Sequence, residues 1–369
     1  MWGLHSLALS VGSTIGDYQI VSLIGRGGMG RVFKVRNILS DRIEAMKSHL
    51  SYADEAPELA ERFIREIKVL AKLEHPNITT FRTAFRVGNE LMLIMEHVEG
   101  SSLDRRLKAG RIETWRAVHY MCQVLSALDH AHRAGVLHRD IKPSNILLGS
   151  GDSVKLTDFG IASLAGDTAL TITGNTMGSL HYMSPEQMKA EMLDARSDLY
   201  SAGVTLYEMV TGQIPVQGDS FYAILKAHLE QKPTPPIRLV PDVPPELSDL
   251  IVKSLEKDPK ARFQSAEEFR TALEAISSVK CPTDFAVTAI SYETDSSRPR
   301  TPSGETKSWD PEMLEAAKKN LAIYIGPMAR VIVSRATGQA KSIQELYQLL
   351  AAEIPSLQDR DKFLRTMPL

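Results

Sequence analysis

The side chains with the most specific chemistry fall within residues 138–145, which read His-Arg-Asp-Ile-Lys-Pro-Ser-Asn. Asp140 supplies a carboxylate that can orient an attacking hydroxyl and accept its proton, and Lys142 supplies a cation that can neutralise charge on a moving phosphoryl group. Asn145 supplies an amide oxygen that can hold a metal ion. A loop that only joins two elements does not need this combination, so the segment predicts a phosphoryl-transfer site.

A second metal ligand is predicted at Asp158, in the tripeptide Asp-Phe-Gly that ends at Gly160. It follows the strand-like residues 154–157, so the carboxylate is expected on a loop. The tripeptide alone would be a common turn, and it is informative only together with the preceding loop. Because Mg²⁺ prefers hard oxygen ligands and substrate phosphates, Asp158 and Asn145 are sufficient to hold it alongside ATP.

A glycine-rich segment lies between two strand patterns and can form a hairpin whose backbone approaches triphosphate oxygens without obstruction by Cβ atoms. Its residues are Ile24, Gly25, Arg26, Gly27, Gly28, Met29, Gly30, Arg31 and Val32. By itself this pattern is equally consistent with an ordinary turn. A strand pattern follows it and no Lys-Ser or Lys-Thr closes it, which excludes a dinucleotide fingerprint and a Walker loop.

A lysine and a glutamate complete the set of charged candidates. Lys47 ends the third predicted strand, after Ala45 and Met46, and is expected to point into a cleft toward the phosphates. Glu66 lies on a predicted helix and can fix the Lys47 ammonium by an ion pair. The alternative is an ordinary exposed pair that contributes less than ~1 kcal/mol.

The elements around these residues predict an α+β fold of two lobes. Short β-rich runs predict strands early in the chain, at residues 18–24, 30–35, 43–47 and 91–95. One long helix is expected at residues 58–73, and helical periodicity dominates from residue 103, notably at residues 114–134 and 198–211. We therefore expect a small β-rich lobe with one long helix at residues 17–98 and a large helical lobe at residues 99–277.

The remaining segments are expected to be a tail, a linker and a small helical module. Residues 1–16 are interpreted as a loose N-terminal tail, with packing of its apolar stretch Leu4 to Val11 on the small lobe as the alternative. Residues 278–308, rich in Ser, Thr and Pro, are interpreted as a flexible linker. The module spans residues 309–369 and is expected to be all-α, with helices starting after Asp310 and at Ser342. It is interpreted either as an interaction module for self-association or partner docking, or as a structural tail.

Composition limits the classes of partner. The 43 basic and 45 acidic side chains give a net charge of -2, so no basic field favours nucleic acid or an anionic membrane. No window is long and apolar enough to span a bilayer. Two cysteines, Cys122 and Cys281, are too few for a disulfide or zinc framework. We expect a cytoplasmic protein with reduced thiols.

Residues 18–275 closely resemble the eukaryotic-like Ser/Thr protein kinases of bacteria, in the motifs above and in Ser184-Pro185-Glu186. The resemblance implies a bilobal protein kinase fold that binds ATP with Mg²⁺, with Mn²⁺ as an alternative metal. Lys47 would hold the α- and β-phosphates and pair with Glu66. The remaining nucleotide contacts that it implies are Met95 as gatekeeper, Glu96 to Val98 as the hinge beside adenine, and Ala45, Val32 and Leu147 around the purine.

The resemblance also implies the substrate class and a mode of regulation. Lys142, two residues beyond Asp140, resembles the Ser/Thr-specific form of the loop, so protein substrates with Ser or Thr are expected. Arg139 resembles the arginine of kinases that are regulated through phosphorylation of an activation segment. The candidate sites for autophosphorylation are Thr171, Thr173 and Thr176, and the sequence does not choose among them.

An intact large lobe is implied by two further contacts, a buried ion pair between Glu186 and Arg262 and a bond from Asp198 to the catalytic-loop backbone. Three positions depart from the commoner family residues, at Met46, Ser179 and Ser184. None of these departures removes a charge or donor that the chemistry needs.

Two alternatives remain beside an active Ser/Thr kinase. A pseudokinase or scaffold is disfavoured because Lys47, Asp140, Asn145 and Asp158 are all retained. A small-molecule kinase of the same fold fits poorly with Lys142 and with the full segment through Glu186.

Overall fold

The computed structural model describes most of the chain, but with gaps. The described residues are 9–27, 30–50, 67–68, 70–88, 90–159, 177–218, 220–276, 311–325, 329, 332–333, 336–337, 340, 342–352, 354, 357–365 and 367. They form two compact units, one containing residues 1–219 and 223–280 and the other residues 220–222 and 281–369.

The small lobe is one antiparallel sheet of six strands in the order β1-β2-β3-β4-β6-β5. The strands are β1 (Thr14–Ile15), β2 (Tyr18–Gly27), β3 (Gly30–Asn37), β4 (Ile43–Leu50), β5 (Phe81–Val87) and β6 (Glu90–Glu96). The four predicted strands are therefore confirmed. Strand β5, which was not predicted, lies at the sheet edge and has no buried residue, and its sequence lacks the continuous apolar run that marks β6.

Side-chain alternation divides this sheet into two faces. Phe33 and Val35 on β3, Met46 on β4, and Met92 and Ile94 on β6 pack together as the buried core of the lobe. The residues between them in sequence lie on the opposite face. That second face is the one that carries Lys47.

The predicted long helix at residues 58–73 lies mostly outside the described residues. Ile67, Lys68 and Leu70 are helical, and the backbone N–H of Ala71 donates to the carbonyl of Ile67 at 2.9 Å.

The large lobe is built from helices that enclose one apolar core. They are α1 (Leu103–Leu107), α2 (Thr114–Arg133), α3 (Met177–Leu180), α4 (Pro185–Met188), α5 (Ala195–Thr211), α6 (Phe221–Glu230), α7 (Pro236–Leu239), α8 (Pro245–Ser254) and α9 (Ala266–Glu274). Helix α2 buries Val124, Leu125 and Leu128, and helix α5 is buried along most of its length. Asp194 caps α5 at its start, and Gly212, with φ of 73°, ends it in the left-handed conformation that glycine favours.

A three-stranded sheet of β7 (Ser101–Ser102), β8 (Ile146–Leu148) and β9 (Val154–Leu156) lies at the start of the large lobe. Strand β8 directly follows Asn145, and β9 is separated from Asp158 only by Thr157. The hairpin of β8 and β9 therefore fixes both candidate metal ligands relative to each other.

In the described part of the C-terminal unit the regular elements are helices, as predicted: α10 (Pro311–Ile325), α11 (Ile343–Ala352) and α12 (Leu357–Leu364). It has its own apolar core, which includes Leu321, Tyr347, Leu350 and Phe363. Ser342 starts α11 as predicted, because its Oγ accepts from the backbone N–H of Glu345 at 3.2 Å. Among the described residues, no helix combines the length and the apolar character that crossing a bilayer requires. Residues 9–16 of the predicted loose tail are described and pack on the small lobe, because Thr14 and Ile15 form β1 and Leu9 and Ile15 are buried in the core of that lobe. The predicted linker lies outside the described residues.

Candidate active site

The second face of the small-lobe sheet carries the predicted nucleotide contacts in one register. Val32 on β3 lies opposite Lys47 on β4, and Ala45 on β4 lies opposite Met95 on β6. Residues that lie opposite each other in an antiparallel pair share a face. The sheet therefore places a lysine, two small apolar side chains and a methionine on one surface.

The glycine-rich segment forms the predicted hairpin. Gly25 pairs with Val32, Arg26 with Arg31 and Gly27 with Gly30. Ile24, at its start, is half exposed at 52%. The Arg31 guanidinium lies 3.9 Å from the Glu90 carboxylate on the same sheet. Gly28 and Met29 lie outside the described residues.

Lys47 connects the two lobes. Its Nζ donates to Asp158 Oδ1 at 2.6 Å, and the Lys47 side chain is only 12% exposed. The predicted partner Glu66 lies outside the described residues, so the Lys47–Glu66 pair stays a prediction. The described contact brings the sheet lysine to the loop that carries the predicted metal carboxylate.

The three predicted groups of residues 140–145 meet at one carboxylate. Asp140 Oδ2 lies 2.7 Å from Lys142 Nζ and accepts from Asn145 Nδ2 at 3.0 Å. Asn145 Nδ2 also donates to the Asp140 carbonyl at 2.8 Å. Lys142 Nζ donates further to Ser179 Oγ at 2.9 Å, so the hydroxyl at this departure from the family pattern touches the catalytic loop as expected.

Two backbone positions at the site have an uncommon conformation. Arg139 on the loop of Asp140 has φ of 66°, and Asp158 on the next loop has φ of 61°, values that residues other than glycine rarely adopt. The Asp198 carboxylate stabilises the loop by accepting from the N–H of His138 at 2.8 Å and of Arg139 at 2.7 Å. Non-glycine residues persist in this region only where the surroundings fix them, and such residues concentrate at functional sites.

His138 is a buried, neutral connector rather than a base. Burial lowers its pKa, against the opposing charges of Asp198 and Asp140. Its Nε2 lies 2.9 Å from the Thr157 carbonyl, and its Nδ1 accepts from the Asp140 N–H at 3.3 Å, which assigns the proton to Nε2. Its ring centroid lies 4.6 Å from that of Phe159. His138 therefore joins the loop of Asp140 to the loop of Asp158.

The donor chemistry fits a magnesium ion that is completed by substrate phosphates. Asn145 uses its amide nitrogen for both bonds to Asp140, which turns its oxygen, the atom that a hard cation needs, to the other side. Lys47 Nζ contacts Asp158 Oδ1 at 2.6 Å. In the described part of the chain, no three His, Cys, Asp or Glu side chains cluster as a metal site.

The side chain of Glu96, in the predicted hinge, is fixed by hydrogen bonds from Lys155 and Thr80. Glu96 Oε2 accepts from Lys155 Nζ at 2.8 Å and from the N–H and Oγ1 of Thr80 at 3.1 and 3.2 Å. Burial acts to raise the pKa of Glu96, but these bonds lower it overall. The side chain of Glu96 therefore anchors the hinge, and any adenine contact at this position belongs to its backbone. Val98 is half-buried, and Leu147 lies on β8 opposite Lys155.

The predicted ion pair of the large lobe is present and buried. Arg262 Nη1 and Nη2 donate to the two oxygens of Glu186 at 2.8 and 2.9 Å. Ser197 Oγ donates to the same carboxylate at 2.7 Å. Burial acts to raise the pKa of Glu186, and the Arg262 bonds and charge outweigh it, so the pKa is lowered.

Several predictions fall where no geometry is described. Thr171, Thr173 and Thr176 lie in the segment 160–176, which is outside the described residues, as is Cys281. Cys122 is a free thiol, and burial raises its pKa to about 12, which disfavours the reactive thiolate.

Sequence reasoning missed two contributors to the site. Lys155 lies 59 residues from Glu96, and no local pattern pairs them. Gln187 donates through Nε2 to the Arg139 carbonyl at 2.7 Å. The Ser184…Gln187 spacing of a capping box was readable, but it gives no sign of this second bond.

The fold and the site are typical of one class of phosphoryl-transfer proteins. In this class a small sheet with a glycine-rich hairpin faces a helical lobe across a cleft. A family model described as Protein kinase domain matches residues 18–273, and one described as Domain of unknown function (DUF8082) matches residues 312–368. The chain belongs to the protein kinase family.

Curated relatives and solved structures agree with that assignment. Serine/threonine-protein kinase pkn3 of Myxococcus xanthus is 41% identical over 281 residues, covering 72% of this chain and 51% of that protein. Serine/threonine-protein kinase PrkC of Bacillus subtilis is 38% identical, covering 70% and 41%. The crystal structure of the Mycobacterium tuberculosis PknI kinase domain is similar with a TM-score of 0.58 and 27% identity, covering 72% of this chain and 99% of that domain. The chain spans about half or less of the length of these curated relatives.

Proposed function

We propose that this chain is a serine/threonine protein kinase that transfers the γ-phosphoryl group of ATP to Ser or Thr hydroxyls of proteins. The proposal rests on three contacts at the cleft. Lys47 contacts Asp158, and Asp140 contacts both Lys142 and Asn145. These contacts bring an amine, two hard oxygen donors and a carboxylate together from both lobes.

Positioning and charge account for the chemistry at this site. Asp140 orients the substrate hydroxyl and accepts its proton as the hydroxyl oxygen attacks the γ-phosphorus. The bond from phosphorus to the leaving ADP oxygen breaks in line, and no covalent enzyme intermediate forms. Lys142, 2.7 Å from Asp140, is placed to neutralise charge on the moving group.

Nucleotide and metal are held by residues from both lobes. Lys47 contacts the α- and β-phosphates, the backbone of residues 24–32 covers the triphosphate, and Val32, Ala45, Met95, Glu96, Val98 and Leu147 surround the base. Asn145 and Asp158 would hold Mg²⁺, or Mn²⁺ in its place, and the bound metal would neutralise phosphate charge. A cytoplasmic location belongs to the same proposal, because ATP is the donor and both cysteines are expected as free thiols.

Replacing the proposed base tests this function. Asp140→Asn is expected to lose nearly all transfer from labelled ATP to a mixed protein substrate, because the hydroxyl is no longer oriented or deprotonated. Nucleotide affinity, measured by titration with Mg·ATP, is expected to change little, because the contacts proposed for ATP remain. Equal transfer by both proteins would refute the role of Asp140, and no transfer by the unaltered chain to any protein, itself included, would refute the kinase proposal.

Self-phosphorylation is expected within residues 160–176 of the same samples. Mass spectrometry should find phosphate on Thr171, Thr173 or Thr176 in the active chain and not in Asp140→Asn. Phosphate elsewhere only would remove these threonines as the regulatory sites.

We also propose that residues 309–369 form an interaction module. Its buried apolar core and its separate family match support a unit that folds around itself and offers its outer surface to another chain. Light scattering of the full chain against a chain ending at residue 280 tests self-association. A monomeric full chain would leave docking of another protein as the only form of this proposal.

A further inference from the structure

The residue after Glu186 makes a contact that the proposed mechanism does not use. Gln187 Oε1 accepts from the backbone N–H of Ser184 at 2.9 Å, and the Gln187 N–H donates to Ser184 Oγ at 3.3 Å. These two bonds are a capping box that starts helix α4. A cap would be complete without the amide nitrogen of Gln187, yet that nitrogen donates to the Arg139 carbonyl at 2.7 Å.

The acceptor lies at the most constrained point of the catalytic loop. Arg139 has a left-handed backbone with φ of 66°, and its N–H is held by Asp198 at 2.7 Å. Its carbonyl belongs to the peptide that leads into Asp140. Asp198 and Gln187 therefore hold the backbone of Arg139 on both sides, immediately before the proposed base.

The other end of this contact is rigid. Glu186, which precedes Gln187, is fixed by the two bonds from Arg262 and by Ser197. The helix that carries Gln187 is thereby tied to the buried part of the large lobe. The amide of Gln187 transmits that fixed position to the Arg139 carbonyl.

We propose that Gln187 is a positioning residue, which acts by clamping the Arg139 carbonyl so that the Asp140 carboxylate is presented to the substrate hydroxyl. This inference rests on the proposed kinase function. Displacing a catalytic side chain by about 1 Å can lower the reaction rate on the order of 100-fold. One hydrogen bond at this peptide can therefore govern the rate of phosphoryl transfer without touching ATP.

The test separates the clamp from the cap. Gln187→Glu keeps an oxygen for the Ser184 N–H but has no amide donor for Arg139, and Gln187→Met is a neutral variant of similar length without that donor. Ser184→Ala removes the cap hydroxyl but leaves the Gln187 amide. We expect both Gln187 variants to lower the maximal rate of transfer to casein and to the chain itself by about 10- to 100-fold, with KM for Mg·ATP unchanged. Ser184→Ala should lower the unfolding midpoint while its maximal rate stays close to that of the unaltered chain.

A second readout does not depend on activity. Hydrogen exchange over residues 138–145 should be faster in the Gln187 variants than in the unaltered chain, and unchanged in Ser184→Ala. An unaltered rate in both Gln187 variants, or equal losses in all three proteins, would overturn the clamp and leave a cap alone. An unaltered chain that transfers no phosphate would refute the kinase function, and hydrogen exchange would then still decide whether Gln187 holds the loop.

Discussion

At the scale of single residues, the two buried carboxylates of Asp198 and Glu186 each accept several hydrogen bonds. Burial acts to raise the pKa of Asp198, and its hydrogen bonds with His132 and with the backbone N–H of His138 lower it overall. Glu186 follows the same rule with Arg262, whose side chain is fully buried. Such pairs are costly to break because each leaves the partner charge buried alone.

Glu186→Gln is expected to destabilise the protein by about 3 kcal/mol at neutral pH, because Arg262 then stays charged without a counterion. The pKa of Glu186 is lowered on folding, so its contribution to the free energy of unfolding is fully present above the ordinary value of 4.5 and is lost as the pH falls below it. The difference in free energy of unfolding between the unaltered chain and Glu186→Gln should therefore become smaller in acid. Urea unfolding at pH 7 and pH 4 measures both effects.

The matched control is Glu191→Gln, since Glu191 makes an exposed pair with Lys189 at 3.7 Å. This change should cost less than ~1 kcal/mol at either pH. Similar losses in the two variants would show that the Glu186 pair is no stronger than a surface pair.

At the scale of elements, helices α5 and α8 approach closely because α5 has a glycine at the contact. A Cβ atom at Gly203 would lie 2.1 Å from Ser254 Oγ and 2.8 Å from Ser254 Cβ. Ser254 is itself fully buried and donates to the Ile251 carbonyl at 2.7 Å. Because Gly203 has no side chain, the backbone of α5 can pack directly against α8. The same helix carries Asp198 near its start.

Gly203→Ala is expected to lower the free energy of unfolding, although alanine favours a helix by about 1 kcal/mol over glycine. The clash with Ser254 costs about 1–3 kcal/mol as overpacking and should outweigh that gain. Adding Ser254→Gly removes both close atoms, so the double variant should be more stable than the single variant Ser254→Gly. A double-mutant cycle by urea denaturation measures this coupling, and a stabilised Gly203→Ala would contradict it.

At the scale of the whole molecule, the chain divides into a catalytic unit and a C-terminal helical unit. Every site contact described above joins residues within the first unit. The second unit has a separate apolar core. We therefore expect nucleotide binding to require only the first unit.

A chain that ends at residue 280 is expected to keep its affinity for Mg·ATP, because no described site residue is removed. Calorimetric titration of the shortened and full chains checks this, with circular dichroism to confirm that the shortened chain is folded. A folded short chain with greatly weakened binding would show that the C-terminal residues support the site.

The sequence by itself determined the identities of the site residues and most of the local elements. The strands β2, β3, β4 and β6, the helices α2 and α5, and the cap at Ser342 follow from side-chain periodicity and local hydrogen bonding, which act over a few residues. Asp140, Lys142 and Asn145 were readable for the same reason, because they share one short loop.

Only the tertiary structure decided which distant groups meet. Lys47 and Asp158 are 111 residues apart, and Glu186 and Arg262 are 76 apart. The bond from Gln187 to the Arg139 carbonyl joins a side chain to a backbone atom that every residue possesses. No residue type marks such a partner, because the contact depends on how the lobe folds and not on local sequence.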